Sequence, residues 1–260
     1  MHATMVTSST TSVNPMAAKR IHIQTEIAPD AEHALSAEQA HYIGRVLRAR
    51  IGDTLELFDG QGHSASAEVL ALGKREAVVL TSNVAFADDR SPVAITLLQC
   101  LSRSHKIDMV VQKAVELGVD HIVPVTSERS LMRLDEVGGA QKQAHWMKVA
   151  IAACQQCGRR FLPTITTPVP LETALREVSA ERRLVATPQA SEPLTAKLEQ
   201  PAPKSVAILI GPEGGLSNDE IEIASNVGWM SISAGRRVMR TETAAISLLS
   251  VIQHRWGDLA

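Results

Sequence analysis

The chain has 260 residues, a formal net charge of −2, 45% apolar residues and 21% charged residues, the balance of an ordinary soluble protein with room for two domains or one sizeable core. Aromatics make up only 3%, which argues against a single-strand binder built on stacking platforms. The near-neutral charge confines any nucleic-acid contact to local patches.

The first 16 residues are rich in Ser and Thr and predict a disordered extension; Met16 is a candidate natural start. No stretch approaches the ~18 consecutive apolar residues of a membrane span. A first domain is expected over residues 17–88. Alternation over 20–27 predicts a strand. Ser36 with Gln39 three residues on is a capping box, opening a helix that carries Tyr42, Ile43, Val46 and Leu47. The polar side of that helix presents His41, Arg45 and Arg48. Residues 54–58, 64–71 and 76–83 read as short strands, the first two joined by the turn Asp59-Gly60-Gln61-Gly62. One helix among several strands indicates a small β-barrel-like module.

The run Asp88-Asp89-Arg90-Ser91-Pro92 breaks the pattern, and a second domain is expected over 89–260. There strands alternate with helices: strands at 93–100, 121–125, 184–187, 206–210 and 230–233, and helices at 107–117, 141–158, 171–178 and from Ser217 onward. Residues 188–204 read as a Pro-rich connection. The closing helix places Ala245, Leu248, Leu249, Ile252 and Trp256 on one face. This is an α/β domain with a mostly parallel sheet.

Two strand ends of this domain open into glycine-bearing loops. One is Gly211-Pro212-Glu213-Gly214-Gly215, followed by a capping box of Ser217 and Glu220; the other bears Gly235, then Arg236, Arg237 and Arg240. A bare tight turn explains the first alone. The second loop, in the same domain and rich in arginine, favours a nucleoside-like or anionic ligand at the carboxyl edge of the sheet. The Lys-Ser/Thr ending of a phosphate loop, the early G-x-G-x-x-G of a dinucleotide site, and H-E-x-x-H and G-x-S-x-G motifs are all missing. His63 and His105 are isolated. Cys154 and Cys157 form a lone C-x-x-C on a predicted helix, without a second pair to complete a zinc site. No metal is expected, and three cysteines in all fit a reducing cytoplasm.

The segments GPEGGLSNDE (211–220) and AGRRVMRTETAA (234–245) together resemble the C-terminal signature of SPOUT-superfamily methyltransferases. The match is to the bacterial family that methylates N3 of a uridine in 16S ribosomal RNA (the RsmE family). HYIGRVLRARIGD, CLSRSHKIDMVVQKAVELGVDHIVPVTSERS, IAACQQCGR and RWGD extend it over nearly everything from Lys19 onward. The resemblance implies a C-terminal SPOUT domain with a trefoil knot, a PUA-like N-terminal domain that contacts RNA, and a homodimer in the cytoplasm. The expected partner is 16S rRNA in the small ribosomal subunit, with no membrane. It implies that S-adenosylmethionine is held by Leu209, Ile210, Gly211, Pro212, Glu213, Gly214 and Gly215, by Ser233, Ala234 and Gly235, by Val238, Met239 and Thr241, and by Thr187 at the preceding strand end. The family often carries Leu-Gly-Pro-Arg where this chain has Ala234-Gly235-Arg236-Arg237; the glycine is kept and a proline lost.

Uracil N3 is a poor nucleophile until it loses its proton. The expected chemistry is therefore stabilisation of a uracil anion by Arg240, or alternatively Arg103, with Glu242 either accepting the proton or orienting an arginine. His41, Arg45 and Arg48 are expected to grip phosphates. N3 lies on the pairing edge, so the target base must be unpaired or flipped out. An RNA-binding protein without chemistry and a nucleotide-binding regulator are the competing classes; the intact Arg-Thr-Glu-Thr of residues 240–243 speaks against the first.

Overall fold

The structure, a computed structural model, describes residues 19–102, 104–132 and 134–259. The N-terminal extension and Arg103 lie outside the described residues. Contacts divide the chain into two units, one of residues up to Phe86 together with Gln155–Gly158, the other of Ala87–Cys154 and Arg159 onward.

The first unit holds β1 (Arg20–His22), β2 (Glu32–Leu35), α1 (Ala37–His41), β3 (Thr54–Phe58), β4 (His63–Leu72) and β5 (Ala77–Phe86), with the sheet order β1-β3-β4-β5-β2. β4 alternates, turning Ala65, Ala67 and Val69 into a core shared with Leu55, Leu57 and Val79. Its pairing with β5 slips at Ser64/Ser66 and at Val69/Ala71, and such irregularities bend and twist a strand. The capping box forms as expected: Ser36 Oγ accepts from Gln39 N, and Gln39 Oε1 accepts from Ser36 N. The helix it opens is shorter than the spacing predicts. α1 stops at His41, and residues Tyr42–Val46 form a π-helical turn in which Leu47 N donates to Tyr42 O. β2 was not foreseen; of its four residues only Leu35 is buried, so they lack the apolar signal of a buried strand.

The second unit contains β6 (Ala94–Cys100), α2 (Ser104–Glu116), β7 (His121–Thr126), α3 (Glu136–Cys157), β8 (Thr164–Ile165), β9 (Val169–Pro170), α4 (Leu171–Glu177), β10 (Arg182–Ala186), α5 (Leu194–Leu198), β11 (Ser205–Ile210), α6 (Asn218–Asn226), β12 (Met230–Ile232) and α7 (Thr241–Trp256). The sheet runs β12-β10-β11-β6-β7-β8, with β9 also on β7, and all its described strand pairings are parallel. β11 is the central strand, paired to β10 on one side and β6 on the other. That explains its unbroken apolar run: both faces are covered, and Val206 through Ile210 are all buried. The predicted Pro-rich connection contains the short helix α5, whose Leu194 and Leu198 are buried. In α7, Ala245, Leu248, Leu249, Ile252 and Trp256 are buried, as the spacing predicts. Among the described residues no helix is long and apolar enough to cross a membrane, and no group of side chains is arranged to hold a metal.

Candidate functional site

The carboxyl ends of β10, β11 and β12 lie side by side, and the chain leaving each becomes a wall of one cavity of about 560 Å³. Such a volume suits a ligand of nucleoside size or somewhat larger. Ala186 and Thr187 line it after β10, Ile210 through Leu216 after β11, and Ala234, Gly235 and residues 237–241 after β12. Ala244 and Leu248 of α7 add apolar surface, while Lys106 and Arg129 reach in from beyond β6 and β7. Five parallel strand ends therefore contribute, which is where ligands bind in open α/β sheets.

The loop after β11 is held from several sides. Gly215 N donates to Pro212 O at 2.9 Å, with Gly215 at φ +69°. Arg129 Nη1 donates to Gly214 O at 3.2 Å. A Cβ at Gly211 would stand 3.2 Å from Leu216 Cγ and 3.3 Å from Leu216 N, so the turn closes on a glycine. The second capping box secures the start of α6, where Glu220 Oε2 accepts from Ser217 N at 2.9 Å and Ser217 Oγ accepts from Glu220 N. Glu220 Oε1 also accepts from Glu128 N at 2.7 Å, tying the loop after β7 to the same helix.

Thr241 joins this loop to the start of α7. Its Oγ1 donates to Gly211 O at 2.7 Å and accepts from Gln99 Nε2 at 2.9 Å. Gln99, at the end of β6, is 1% exposed, so the chain is dry and its bonds are not traded for water. Arg240 is the N-cap residue of α7, an exposed side chain on the cavity wall. The loop after β12 is more open: residues 235–238 are all exposed, Val238 by 80%, and Gly235 has φ +86° with open space where a Cβ would go.

Among the expected ligand-holding residues, twelve positions of the three loops converge on the cavity, Thr187, Gly211, Gly235 and Thr241 among them. Leu209 is fully buried inside β11, and Ser233 is held by Glu192 O, so these two back the loops and do not line the cavity. Glu242 is also off the cavity wall: its Oε2 is buried and lies 3.6 Å from Lys106 Nζ, which in turn is 3.1 Å from Glu213 Oε1. His41, Arg45 and Arg48 are exposed in the first unit, at the end of α1, in the π-helical turn and just after it. His63 pairs with Asp59 at 2.8 Å and His105 is exposed. Cys154 and Cys157 lie on α3, where Cys154 Sγ donates to Phe161 O at 3.8 Å. Cys100 is buried against the end of β6, and burial pushes its thiol up to about 12, so it stays protonated and unreactive.

Sequence reasoning missed Lys106, Arg129 and Gln99. The available signal was positional, since Gln99 and Lys106 flank the end of β6 and Arg129 follows the end of β7, the same edge of the sheet as the glycine loops. Lys106, Arg129, Arg237 and Arg240 give the described wall four cations against one carboxylate, Glu213. The residues present fit S-adenosylmethionine. Two glycines with positive φ, Gly215 and Gly235, face open cavity where any Cβ would intrude, apolar side chains such as Leu216, Val238 and Leu248 suit an adenine face, and Arg129 or Arg237 can meet a carboxylate.

Known proteins agree with this geometry. The RNA methyltransferase domain family matches residues 89–253, and the RNA methyltransferase PUA domain family matches residues 35–81. The ribosomal RNA small subunit methyltransferase E of Buchnera aphidicola subsp. Acyrthosiphon pisum is 30% identical over 251 residues, covering 96% of this chain and 98% of that protein. The same enzyme of Buchnera aphidicola subsp. Schizaphis graminum is 32% identical, covering 93% and 98%. Among solved structures, the Legionella pneumophila methyltransferase Lpg2936 with bound S-adenosylmethionine superposes with a TM-score of 0.89 at 37% identity, covering 93% of this chain and 99% of that one. The ribosomal RNA small subunit methyltransferase E of Neisseria gonorrhoeae, also bound to S-adenosylmethionine, gives 0.85 at 30% identity, covering 94% and 100%.

Proposed function

This chain belongs to the ribosomal RNA small subunit methyltransferase E family of S-adenosylmethionine-dependent enzymes, and from that premise we propose which atom it methylates and which residues act. The target is N3 of a uridine in 16S ribosomal RNA. The observation that carries the site assignment is the single cavity shared by three parallel strand ends, with glycines at its two principal loops and cations around its wall.

When bound, S-adenosylmethionine supplies a sulfonium-activated methyl group. The protein's own residues then have three tasks. Residues 210–216, with Ala234, Gly235, Val238 and Met239, hold the cofactor against backbone and apolar surface. Thr241, bonded to both Gly211 O and Gln99, gives the cofactor loop and α7 a common frame, so donor and acceptor are fixed to one scaffold. Arg240, at the first turn of that helix, stabilises the charge on O2 or O4 as N3 loses its proton to solvent at the exposed side of the cavity. Glu242 acts behind the wall as the partner of a cation; its carboxylate faces Lys106, which favours the orienting role over direct proton transfer. Arg103 is kept as an alternative to Arg240 on sequence grounds alone.

The first unit is proposed as the PUA-like RNA grip. His41, Arg45 and Arg48 are exposed and free to meet phosphates. The double variant R45A/R48A should weaken RNA binding and flatten its salt dependence while leaving cofactor affinity unchanged. A homodimer, a knotted C-terminal unit and a cytoplasmic location belong to the same reading. Leu131 and Val137, 61% and 66% exposed, offer apolar surface that a second copy would cover.

The decisive experiment transfers labelled methyl from S-adenosylmethionine to small subunits lacking the mark and maps the modified base. Label on N3 of one uridine is expected. Label elsewhere, or none on any ribosomal substrate, would overturn the assignment.

A further inference from the structure

Three elements bring charged side chains together at the inner end of the cavity. Lys106 of α2 stands between Glu213 of the loop after β11 and Glu242 of the first turn of α7, at 3.1 Å and 3.6 Å. All three are largely shielded, with side chains 17%, 23% and 13% exposed. Of the trio, Lys106 and Glu213 line the cavity, while Glu242 touches it only through the lysine. The other cations of the wall, Arg129, Arg237 and Arg240, are solvent-exposed.

We propose that Lys106 is a catalytic residue, whose ammonium meets the negative charge that the uracil ring acquires, and that Glu242 is the residue positioning it. This rests on the uridine-N3 reading above. An ammonium has three N–H donors. Among the described residues, Glu213 takes one and the Glu242 oxygen faces a second, and the third is assigned to the cavity that Lys106 lines. A neutral uracil carbonyl accepts that donor as an ordinary hydrogen bond. Once N3 has given its proton to solvent water, the ring charge spreads onto O2 and O4 and the same contact becomes charge-assisted. The interaction is therefore stronger after deprotonation than before, as an interaction that accelerates a reaction must be. Lys106 itself neither gains nor loses a proton.

Its shielding is why Lys106 shares this role with Arg240. Water screens an exposed charge heavily, whereas a pair held at low effective dielectric interacts several times more strongly. The exposed Arg129 and Arg237 suit permanent anions, phosphate or carboxylate.

The test compares Lys106→Met, Lys106→Arg, Glu242→Gln and the double variant K106M/E242Q, using methyl transfer to unmodified small subunits for kcat and calorimetry for S-adenosylmethionine. K106M should lower kcat by about 10²-fold with cofactor Kd changed less than about twofold, and Lys106→Arg should recover part of that loss. E242Q should lose less than K106M, and the double variant should be no slower than K106M, because a positioning residue has nothing left to position. If K106M unfolds by circular dichroism, Lys106→Gln takes its place. A cofactor Kd that rises as far as kcat falls would make Lys106 an anchor for the cofactor carboxylate and overturn the proposal. So would losses that multiply in the double variant, since Glu242 would then act independently. Wild-type protein that methylates no uridine N3 defeats the functional reading itself; wild-type activity with a fully active K106M defeats only this proposal.

Discussion

Two glycine-bearing loops leave adjacent regions of one parallel sheet, and they are built differently. The loop after β11 is fastened at nearly every residue: Gly211 O to Thr241, Glu213 to Lys106, Gly214 O to Arg129, Gly215 N to Pro212 O, and Ser217 to Glu220. The loop after β12 is anchored at its ends, by Ser233 on Glu192 O and by Ala244 N on Arg240 O, and residues 235–238 between them are exposed. Many buried fastenings make a segment rigid, and their scarcity leaves it among the first to open locally. The difference points to a division of labour in which the first loop is a preformed seat and the second is a wall completed by what binds.

The sharpest way to break that division is Arg240→Ala. Arg240 sits where the open loop becomes α7, and its side chain is exposed, so its removal leaves the fold intact. Loss of a transition-state charge partner costs about 10²–10³ in kcat, and steady-state kinetics should show that loss with unchanged cofactor affinity. Equal losses in kcat and cofactor affinity would show that the second loop is a seat too.

Gly211→Val probes the opposite side. A Cβ there lies 3.2–3.3 Å from Leu216 Cγ and backbone N, so the fastened turn has to shift. Overpacking of this kind costs about 1–3 kcal/mol, and calorimetry should show cofactor affinity lower by about 10–100-fold. Glu220→Gln comes next. Glu220 is 8% exposed and its two oxygens each accept a backbone N–H, so an amide would set its own donors against one of them. About 1–3 kcal/mol of stability should be lost, a fall in Tm of several degrees at this size, with kcat at saturating cofactor little changed.

How much of this was legible in the sequence follows from the kind of signal each feature carries. β11 and α7 were readable because burial leaves a periodic trace, unbroken for a strand covered on both faces and at i, i+3, i+4 for the helix. Both capping boxes were readable because they are local, three residues apart. β8 and β9 have two residues each, too few to show a period. α5 was hidden among prolines, and its helix starts directly after Pro193, where a proline is tolerated. Within the site, the glycines announced themselves, but Lys106 and Gln99 did not. Their importance comes from contacts 107 or more residues away in sequence, Lys106 with Glu213 and Glu242 and Gln99 with Thr241, and no window of sequence contains such a pair. Glu242 shows the same limit, since its place in the sequence left open whether it accepts the proton or orients an arginine, and among the described residues the cation beside it is Lys106.

The smallest expected effect is also the most informative about the open loop. Gly235→Ala meets no clash, since nothing lies within 4 Å of the added Cβ, yet the backbone there has φ +86°. An alanine in that region costs about 1 kcal/mol or somewhat more, which corresponds to about fivefold in an equilibrium constant. If the loop relieves the strain by moving, the wall moves with it and cofactor affinity falls by about that factor, with Tm nearly unchanged because the segment holds little of the core. Any loss beyond fivefold then has a second cause: the methyl group occupies space that the cofactor needs, and the excess measures how closely Gly235 is approached. A Gly235→Ala protein as crippled in binding as Gly211→Val would mean that both loops are seats, and the contrast between a fastened loop that holds and an open one that closes would have to be given up.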